Sequence, residues 1–256
     1  MTSGSQTEDS SMRPRSIILP GRFYRTYPVG SPLGYAQETL HLAVDRTVFL
    51  IVDVYGLGFG DEPPSQAVPP IVQKYIREIH DVVVNHIVAA KSAAKRLGIP
   101  IVYLTNHLSE ALAPDSELRQ VSLRSDDVDL LQVWKEPSDY LAHSNIIAPA
   151  EGDYLVKKQH YSGFFDTNLD SLLRSLNAYN LVTVGFDSRV CLGNTVTDAM
   201  YRNYRVVVLR DGTATAEEVE TAEERWANFL AVRFIETHVG YTCTTDEWLA
   251  ACAGGT

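Results

Sequence analysis

The apolar positions of this chain fall into short continuous runs that are separated by longer stretches with helical spacing. Four runs, at 47–54, 101–105, 181–186 and 206–209, are rich in β-branched residues and end in polar or turn residues. A continuous apolar run of this length is typical of a strand buried on both faces. A shorter segment at 153–157 is also strand-like, so five strands are predicted up to residue 209.

Apolar residues recur at helical spacing between these runs. The longest such pattern covers 75–97 and stops at Gly98 and Pro100, residues that end helices. Further helices are predicted at 168–176, 216–232 and 245–251, with one beginning near residue 191, and a last short strand at 234–235. Strands that alternate with helices favour an α/β fold of three layers, α/β/α, around a mostly parallel, doubly wound sheet.

Three segments depart from this alternation. Residues 1–17 are polar and charged without apolar periodicity, which predicts a disordered tail and leaves 18–256 as a single domain. The segment 22–34 mixes aromatic residues with Pro and Gly, and we predict an irregular arm that reaches another subunit. The polar segment 108–150 is predicted to form a lid or a subunit contact.

The formal net charge of −10 and the three cysteines narrow the class of protein. An acidic chain without a basic cluster is expected to bind neither nucleic acid nor a membrane surface, whereas a small-molecule substrate is compatible with it. The cysteines, at 191, 243 and 252, have neither disulfide-framework nor zinc spacing, which favours reduced thiols in the cytoplasm. No apolar stretch approaches the roughly 18 residues of a transmembrane helix, and no signal-peptide pattern is present.

Three residues that carry chemistry stand at the carboxyl ends of three predicted strands. Asp53 lies near the end of the first apolar run, Lys158 follows 153–157, and Cys191 follows 181–186 at the expected first turn of a helix. Carboxyl ends of parallel strands share one edge of a sheet, so these side chains can converge. The helix N-terminus and the lysine favour a thiolate, and the carboxylate can act as a base. Each residue alone also has a structural interpretation: a satisfied buried carboxylate, a solvated lysine and a buried cysteine.

Three motifs, in order and with plausible spacing, carry a resemblance to a known family. They are VFLIVDV at 48–54, KKQHYSGFFDTNLDSLLRS at 157–175 and LVTVGFDSRVCLGNTVTDAMYRNYRVVVLRDGTAT at 181–215. Over roughly residues 45–215 the chain resembles the isochorismatase-like cysteine hydrolases. Within the second motif, the element from Lys158 to Arg174 is similar to that of ureidoacrylate amidohydrolases in particular.

The resemblance implies a catalytic triad of Asp53 as base, Lys158 as electrostatic partner and Cys191 as nucleophile. It also implies a cis peptide bond between Phe186 and Asp187. The backbone N–H groups of Asp187 and Cys191 would then form an oxyanion hole.

The function that this resemblance implies is a cysteine-dependent amidohydrolase. The enzyme would cleave a C–N bond of a small amide, ureido or carbamoyl compound through a thioester, releasing ammonia, carbamate or an amine. Two alternatives stay open: a vinyl ether hydrolase of the isochorismatase type, and a non-catalytic, thiol-bearing assembly module. The family implies a homo-oligomer, a dimer or a tetramer. We expect no metal and no other cofactor, because no His lies between Asp53 and Ile79, where the related nicotinamidases carry metal ligands.

Candidates for substrate binding surround the triad in the sequence. Arg189 could bind a substrate carboxylate through two hydrogen bonds, or pair across a subunit contact. His107 could bind substrate or act as a structural hydrogen-bonding group, and the aromatic candidates could equally pack in the core. The full set is Tyr55, Asn106, His107, Trp134, Tyr161, Phe165, Phe186 and Arg189.

Overall fold

The structure is a computed structural model, and it describes residues 15–28, 30, 33–56, 70–109, 111, 115–124 and 141–254. The strands are β1 (Ser16–Arg25), β2 (Gly34–Ala43), β3 (Thr47–Val52), β4 (Ile101–Asn106), β5 (Tyr154–Lys158), β6 (Asn180–Phe186), β7 (Arg205–Ala214) and β8 (Tyr241–Cys243). The helices are α1 (Pro70–Val82), α2 (Val88–Arg96), α3 (Glu117–Leu123), α4 (Leu169–Ser175), α5 (Cys191–Tyr201), α6 (Trp226–His238) and α7 (Thr245–Gly254). A π-helical turn, Val83–Ile87, joins α1 to α2.

The strands form one eight-stranded sheet in the order β2-β1-β8-β7-β6-β3-β4-β5. The pairs from β8 through β5 are parallel, whereas β1 runs antiparallel to both β8 and β2. In the central register Val52 of β3 stands opposite Leu104 of β4 and Gly185 of β6. Asn106 of β4 stands opposite Lys158 of β5. The carboxyl ends of these four strands therefore meet at one edge, which is where the predicted site should assemble.

Two apolar layers cover the two faces of the sheet. Along β3, Phe49 and Ile51 pack on the side of α1, α2 and α7, while Leu50 and Val52 pack on the side of α4 and α5. Because every residue of β3 is buried, the strand appears in the sequence as an unbroken apolar run rather than an alternating one. The predicted three-layer α/β/α fold with a mostly parallel sheet is confirmed. Among the described residues, no helix is both long enough and apolar enough to cross a bilayer.

The predicted elements near the C-terminus are partly wrong. The segment 216–232 was expected to be helical and 234–235 to be a strand, but α6 spans Trp226–His238 and includes both latter residues. The carboxylate of Glu217 accepts hydrogen bonds from the N–H groups of Ala227 and Asn228, each at 2.9 Å, and so caps the helix ten residues later than its expected start. A two-residue apolar pair does not distinguish a helix from a strand.

The prediction of an irregular arm at 22–34 is also wrong. Strands β1 and β2 pair along ten residues and extend the sheet at its β8 side, through Arg22 opposite Thr242. Residues 16 and 17, which were assigned to the tail, belong to β1. The remaining tail residues 1–14 and residues 125–140 of the predicted 108–150 insertion lie outside the described residues.

Candidate active site

The structure brings the three predicted strand-end residues together. The Nζ of Lys158 lies 2.8 Å from Oδ2 of Asp53, and the thiol of Cys191 is close enough to both side chains for each of them to shift its pKa. Exposure is 5% for Asp53, 0% for Lys158 and 8% for Cys191. A carboxylate, an ammonium group and a thiol thus share one enclosed space at the carboxyl edge of the sheet.

Lys158, the last residue of β5, is held by groups from neighbouring chain segments. Its ammonium group donates to Oδ1 of Asn106 and, at 3.3 Å, to the carbonyl of His160. Burial alone lowers the pKa of Lys158, but the negative charge of Asp53, with a smaller contribution from Cys191, outweighs it and raises the pKa above its ordinary value. The lysine is therefore a fixed positive charge, and the side chain of Asn106 is directed to the triad.

Asp53 ends β3 in an unusual backbone conformation and is oriented by a tyrosine. Its φ of +49° lies in the left-handed region, which costs a residue other than glycine on the order of 1 kcal/mol and is common at functional sites. The hydroxyl of Tyr55 donates to Oδ1 of Asp53 at 3.0 Å and accepts from the backbone N–H of Asn106 at 2.7 Å. Tyr55, which is also a predicted substrate residue, is buried and orients the carboxylate of Asp53.

The electrostatics of Cys191 differ from the sequence-based expectation of a favoured thiolate. Burial, followed by the charge of Asp53, raises the pKa of the thiol well above its ordinary value, and Lys158 lowers it by less. At the first turn of a helix the backbone dipole does favour an anion, but an enclosed thiol loses the hydration of its charged form. Cys191 is therefore protonated at neutral pH, and it needs a base in contact with it to react.

The strand-to-helix turn that presents Cys191 contains the cis peptide bond at the predicted place, between Phe186 and Asp187. Gly185 precedes it at φ +114°, a conformation that disfavours any side chain, and a Cβ there would collide with the carbonyl oxygen of Val52. The carbonyl of Asp187 accepts from the N–H of Leu192 at 3.0 Å, and this bond ties the turn to α5. The N–H of Cys191 belongs to the first helical residue, which has no intrahelical acceptor.

A hydrogen-bonded pair of titratable side chains, Tyr75 and Asp187, was not predicted from the sequence. The hydroxyl of Tyr75, in α1, donates a hydrogen bond to Oδ1 of Asp187. Burial is the main cause that raises the pKa of Asp187 to about 6; Asp53 raises it further, and the bond from Tyr75 opposes both. The charge of Asp187 in turn contributes to the raised pKa of Cys191. An acidic residue directly after a buried strand was a usable signal for Asp187, whereas nothing in the sequence pairs it with Tyr75.

The remaining predicted substrate residues differ in their exposure and in the groups that they contact. Tyr161 is partly exposed and close enough to Cys191 and Lys158 for both charges to affect its pKa. The backbone N–H of His107 donates to the carbonyl of Lys158 at 2.8 Å, and its buried Nδ1 has no hydrogen-bond partner within the described chain. Phe186 is 2% exposed and packs in the core beneath the turn.

Two aromatic candidates and the arginine lie farther from the triad or outside the described chain. Phe165 is 58% exposed and stands edge-on to His160 at 4.7 Å between ring centroids. Trp134 lies outside the described residues. Arg189 forms a two-point ion pair with Glu218 of the same chain, Nη2 to Oε1 at 2.5 Å and Nη1 to Oε2 at 3.0 Å. To bind a substrate carboxylate, or to pair across a subunit contact, Arg189 would therefore have to exchange or share its ion pair with Glu218.

Within the described parts of the chain, no three His, Cys, Asp or Glu side chains are grouped in a way that could hold a metal ion. The described site brings together a thiol, a carboxylate and an ammonium group beside backbone N–H donors.

Comparison with known proteins places this chain in a family. The family model for the isochorismatase domain matches residues 74–246. The chain is 32% identical over 182 residues to the ureidoacrylate amidohydrolase RutB of Stutzerimonas stutzeri, covering 67% of this chain and 70% of that protein. It is 31% identical over 260 residues to the RutB protein of Methylorubrum extorquens, covering 95% and 92% of the two chains. This chain belongs to the isochorismatase family.

Solved structures agree with the isochorismatase family fold. A cysteine hydrolase from Pseudomonas syringae pv. phaseolicola superposes with a TM-score of 0.67 at 21% identity, over 82% of this chain and 93% of that one. N-carbamoylsarcosine amidase from Thermoplasma acidophilum gives 0.58 at 24% identity, over 78% and 97%. The range that matches the isochorismatase model contains Lys158 and Cys191, whereas Asp53 precedes it.

Proposed function

We propose that this protein is a cysteine-dependent amidohydrolase that cleaves a C–N bond of a small amide, ureido or carbamoyl compound through a thioester. The observation that carries the proposal is the placement of the Cys191 thiol beside Asp53, a carboxylate that Lys158 holds in a buried ion pair and whose charge raises the pKa of the thiol. The names of the relatives support the reaction class, since ureidoacrylate amidohydrolase and N-carbamoylsarcosine amidase both act on C–N bonds.

In the first half of the reaction, Asp53 removes the proton from the thiol of Cys191 as the sulfur attacks the carbonyl carbon. A C–S bond forms, and the carbonyl π electrons move to oxygen. The N–H groups of Asp187 and Cys191 would stabilise that oxyanion, an interaction worth about 3–4 kcal/mol for a single donor in enzymes of this kind. Asp53 then returns the proton to the leaving nitrogen, the C–N bond breaks, and ammonia or an amine departs from the thioester.

In the second half, water enters and Asp53 removes one of its protons. The hydroxide oxygen attacks the thioester carbon, the C–S bond breaks, and the sulfur recovers a proton from Asp53. The overall reaction adds one water across the C–N bond. Because the thiol is protonated before each cycle, a base in direct contact matters more here than a preformed thiolate would.

Lys158 serves this cycle as a positioning charge rather than as an acid. Its ammonium group is fixed by Asp53, Asn106 and His160, and its pKa is raised. A fixed positive charge holds the carboxylate of Asp53 in place and offsets negative charge that develops on sulfur.

Removal of the nucleophile tests the proposal. Cys191→Ala and Cys191→Ser are expected to abolish release of ammonia or amine from a panel of ureido acids, carbamoyl compounds and simple amides. Mass spectrometry of the wild-type protein with a slow substrate should find the acyl group on the peptide that contains Cys191. Cys252→Ala is the matched control, because that cysteine is buried in α7 away from the sheet edge and should be dispensable.

Two results would contradict the proposal. Full activity of Cys191→Ala would exclude the thioester route. Pyruvate release from an isochorismate-type vinyl ether, with no amine released from any member of the panel, would select the vinyl ether hydrolase instead.

A further inference from the structure

The residues that follow Asp53 are bound by a segment that is distant in the sequence. The imidazole Nδ1 of His143 lies 2.9 Å from the carbonyl oxygen of Val54, a residue 89 positions earlier in the chain. The backbone N–H of Gly56 donates to the carbonyl of Ala142 at 2.5 Å. Residues 54–56 are therefore fixed to residues 142–143 by two hydrogen bonds.

The bond to Val54 defines which nitrogen of His143 carries a proton. A carbonyl oxygen only accepts hydrogen bonds, so Nδ1 must donate. Burial is the main cause that lowers the pKa of His143 below its ordinary value, and the bond to Val54 opposes it. The ring is therefore neutral at pH 7, with its proton on Nδ1, and it acts as a hydrogen-bond donor rather than as a charge.

The same imidazole packs against two tyrosine rings. Its centroid is 6.1 Å from that of Tyr55, with the ring planes tilted by 36°, and 5.4 Å from that of Tyr103, which it meets edge to face. Tyr55 is the residue whose hydroxyl donates to Asp53. His143 therefore contacts the neighbourhood of Asp53 at two places, the carbonyl of the next residue and the ring that orients the carboxylate.

The backbone conformation of Asp53 requires such support. A residue other than glycine keeps a φ of +49° only where the surrounding structure fixes the chain on both sides. Before the turn, the N–H of Asp53 donates to the carbonyl of Leu104 at 3.2 Å, which continues the pairing of β3 with β4. After the turn, the corresponding bonds are those to His143 and Ala142.

We propose that His143 is a positioning residue for the base of the reaction. Its bond to Val54 and its contact with the ring of Tyr55 fix the turn after Asp53, and thereby keep the carboxylate of Asp53 beside the thiol of Cys191. The inference rests on the proposed function, because it assigns the alignment of the proposed base to a residue outside the triad. His143 itself transfers no proton in the cycle.

Three substitutions separate the hydrogen bond of His143 from its ring. His143→Asn keeps a donor, since its amide nitrogen is attached to Cγ as Nδ1 is; His143→Phe keeps a ring without the donor, and His143→Ala loses both. In assays with amide and ureido substrates, kcat should fall about tenfold in His143→Phe, the order expected for loss of one buried hydrogen bond, and further in His143→Ala. KM should stay within about twofold of wild type. His143→Asn should recover most of the lost kcat.

Tyr103→Phe is the matched control for stability. The hydroxyl of Tyr103 donates to the carbonyl of Ile147 at 2.5 Å, so this variant removes a hydrogen bond to the same segment while its ring still faces His143. It should lower the melting temperature about as much as His143→Phe and leave kcat within about twofold of wild type. An equal loss of kcat in both variants would overturn the inference, because anchoring of the segment in general would then determine the rate.

Alkylation of Cys191 tests the position of Asp53 without turnover. The charges of Asp53, Lys158 and Asp187 all act on the thiol, and that of Asp53 has the largest effect. If loss of the His143 bond moves the carboxylate away, the pKa of the thiol falls. Iodoacetamide should then modify Cys191 faster in His143→Phe than in wild type at pH 7, but more slowly than in Asp53→Asn. His143→Asn and Tyr103→Phe should react at the wild-type rate, as measured by peptide mass spectrometry.

The failures of the two proposals are distinguishable. Equal kcat in His143→Phe and wild type, a rise in KM alone, or equal losses of kcat in His143→Asn and His143→Phe would overturn the inference and leave the hydrolase proposal intact. Failure of the proposed function would appear instead as no acyl group on Cys191 and no hydrolysis of any substrate. The alkylation rates would still test the position of Asp53, and equal rates in His143→Phe and wild type would overturn the inference.

Discussion

The ammonium nitrogen of Lys158 lies 2.8 Å from Oδ2 of Asp53, and the two side chains are 0% and 6% exposed. The residues are 105 positions apart in the chain (158 minus 53), on β5 and at the end of β3, with β4 between the two strands. A buried ion pair gains little stability over an apolar pair, but loss of one partner leaves an uncompensated charge. In the proposed mechanism, loss of either residue of this pair should therefore affect both the stability of the fold and catalysis.

Replacement of Lys158 should change both the stability of the fold and the rate of hydrolysis. Lys158→Met is expected to lower the free energy of unfolding by about 3–5 kcal/mol, because the Asp53 carboxylate would remain buried without its partner, and to reduce kcat to background. Urea denaturation and amine release measure the two effects. Lys157→Met is the control, since its side chain is exposed on the same strand. An unchanged unfolding free energy in Lys158→Met would show that the pair does not stabilise the fold.

Loss of the Tyr55 hydroxyl should lower kcat more than it weakens substrate binding. Tyr55→Phe removes a donor to Asp53 and leaves the N–H of Asn106 without its acceptor. A lost buried hydrogen bond costs about 1–2 kcal/mol, so kcat should fall about tenfold with little change in KM. Tyr201→Phe, at a tyrosine that is 71% exposed, should change neither constant. A rise in KM alone would instead support the direct substrate contact expected from the sequence.

The rate at which iodoacetamide alkylates Cys191 should report the reactivity of the thiol without requiring hydrolysis of a substrate. The raised pKa means that the thiol is protonated at neutral pH and loses its proton only as the pH rises past its ordinary range. Alkylation of wild type should therefore be slow at pH 7 and still increase above pH 9. In Asp53→Asn the charge that raises this pKa is removed while Lys158 stays, so the pKa falls and alkylation at pH 7 should become faster.

The same variant should hydrolyse no substrate, because it has lost the carboxylate that we propose as the base. A slower alkylation of Asp53→Asn at pH 7 would contradict the assigned direction of the effect. Cys243, which is the last residue of β8 and fully buried, serves as the internal control for unfolding, since its modification would report loss of the fold rather than a change at the site.

Gly185→Ala should disrupt the turn that presents the nucleophile. The new Cβ would meet both an unfavourable φ of +114° and the backbone of Val52, so the loss in unfolding free energy should exceed the cost of the φ angle alone, which is about 1–2 kcal/mol. Gly152→Ala is a matched control with φ +85° and no atom within 4 Å of the new Cβ. The melting temperature of Gly185→Ala should fall further than that of Gly152→Ala. Equal decreases would mean that the backbone near Val52 moves to accept the new Cβ at no cost in stability.

The parallel core and the strand-end residues were predictable because both depend on local pattern. Strands buried on two faces appear as continuous apolar runs, and the rule that parallel strands share an edge at their carboxyl ends places Asp53, Lys158 and Cys191 together without any knowledge of contacts. The hairpin of β1 and β2 was missed, although Leu40 and Leu42 alternate with polar residues, because Pro and Gly nearby suggested an arm.

The sequence by itself determined which chemical groups stand at the sheet edge, since each follows its own strand by local order. Tertiary structure alone decided how those groups behave. The contact of Tyr75 with Asp187 joins residues 112 positions apart, the carboxylate of Glu217 sets the start of α6 from ten residues away, and the burial of Cys191 raises the pKa of a thiol that the helix dipole alone would lower. Desolvation and long-range pairing depend on which surfaces become enclosed, and no local pattern of residues contains that information.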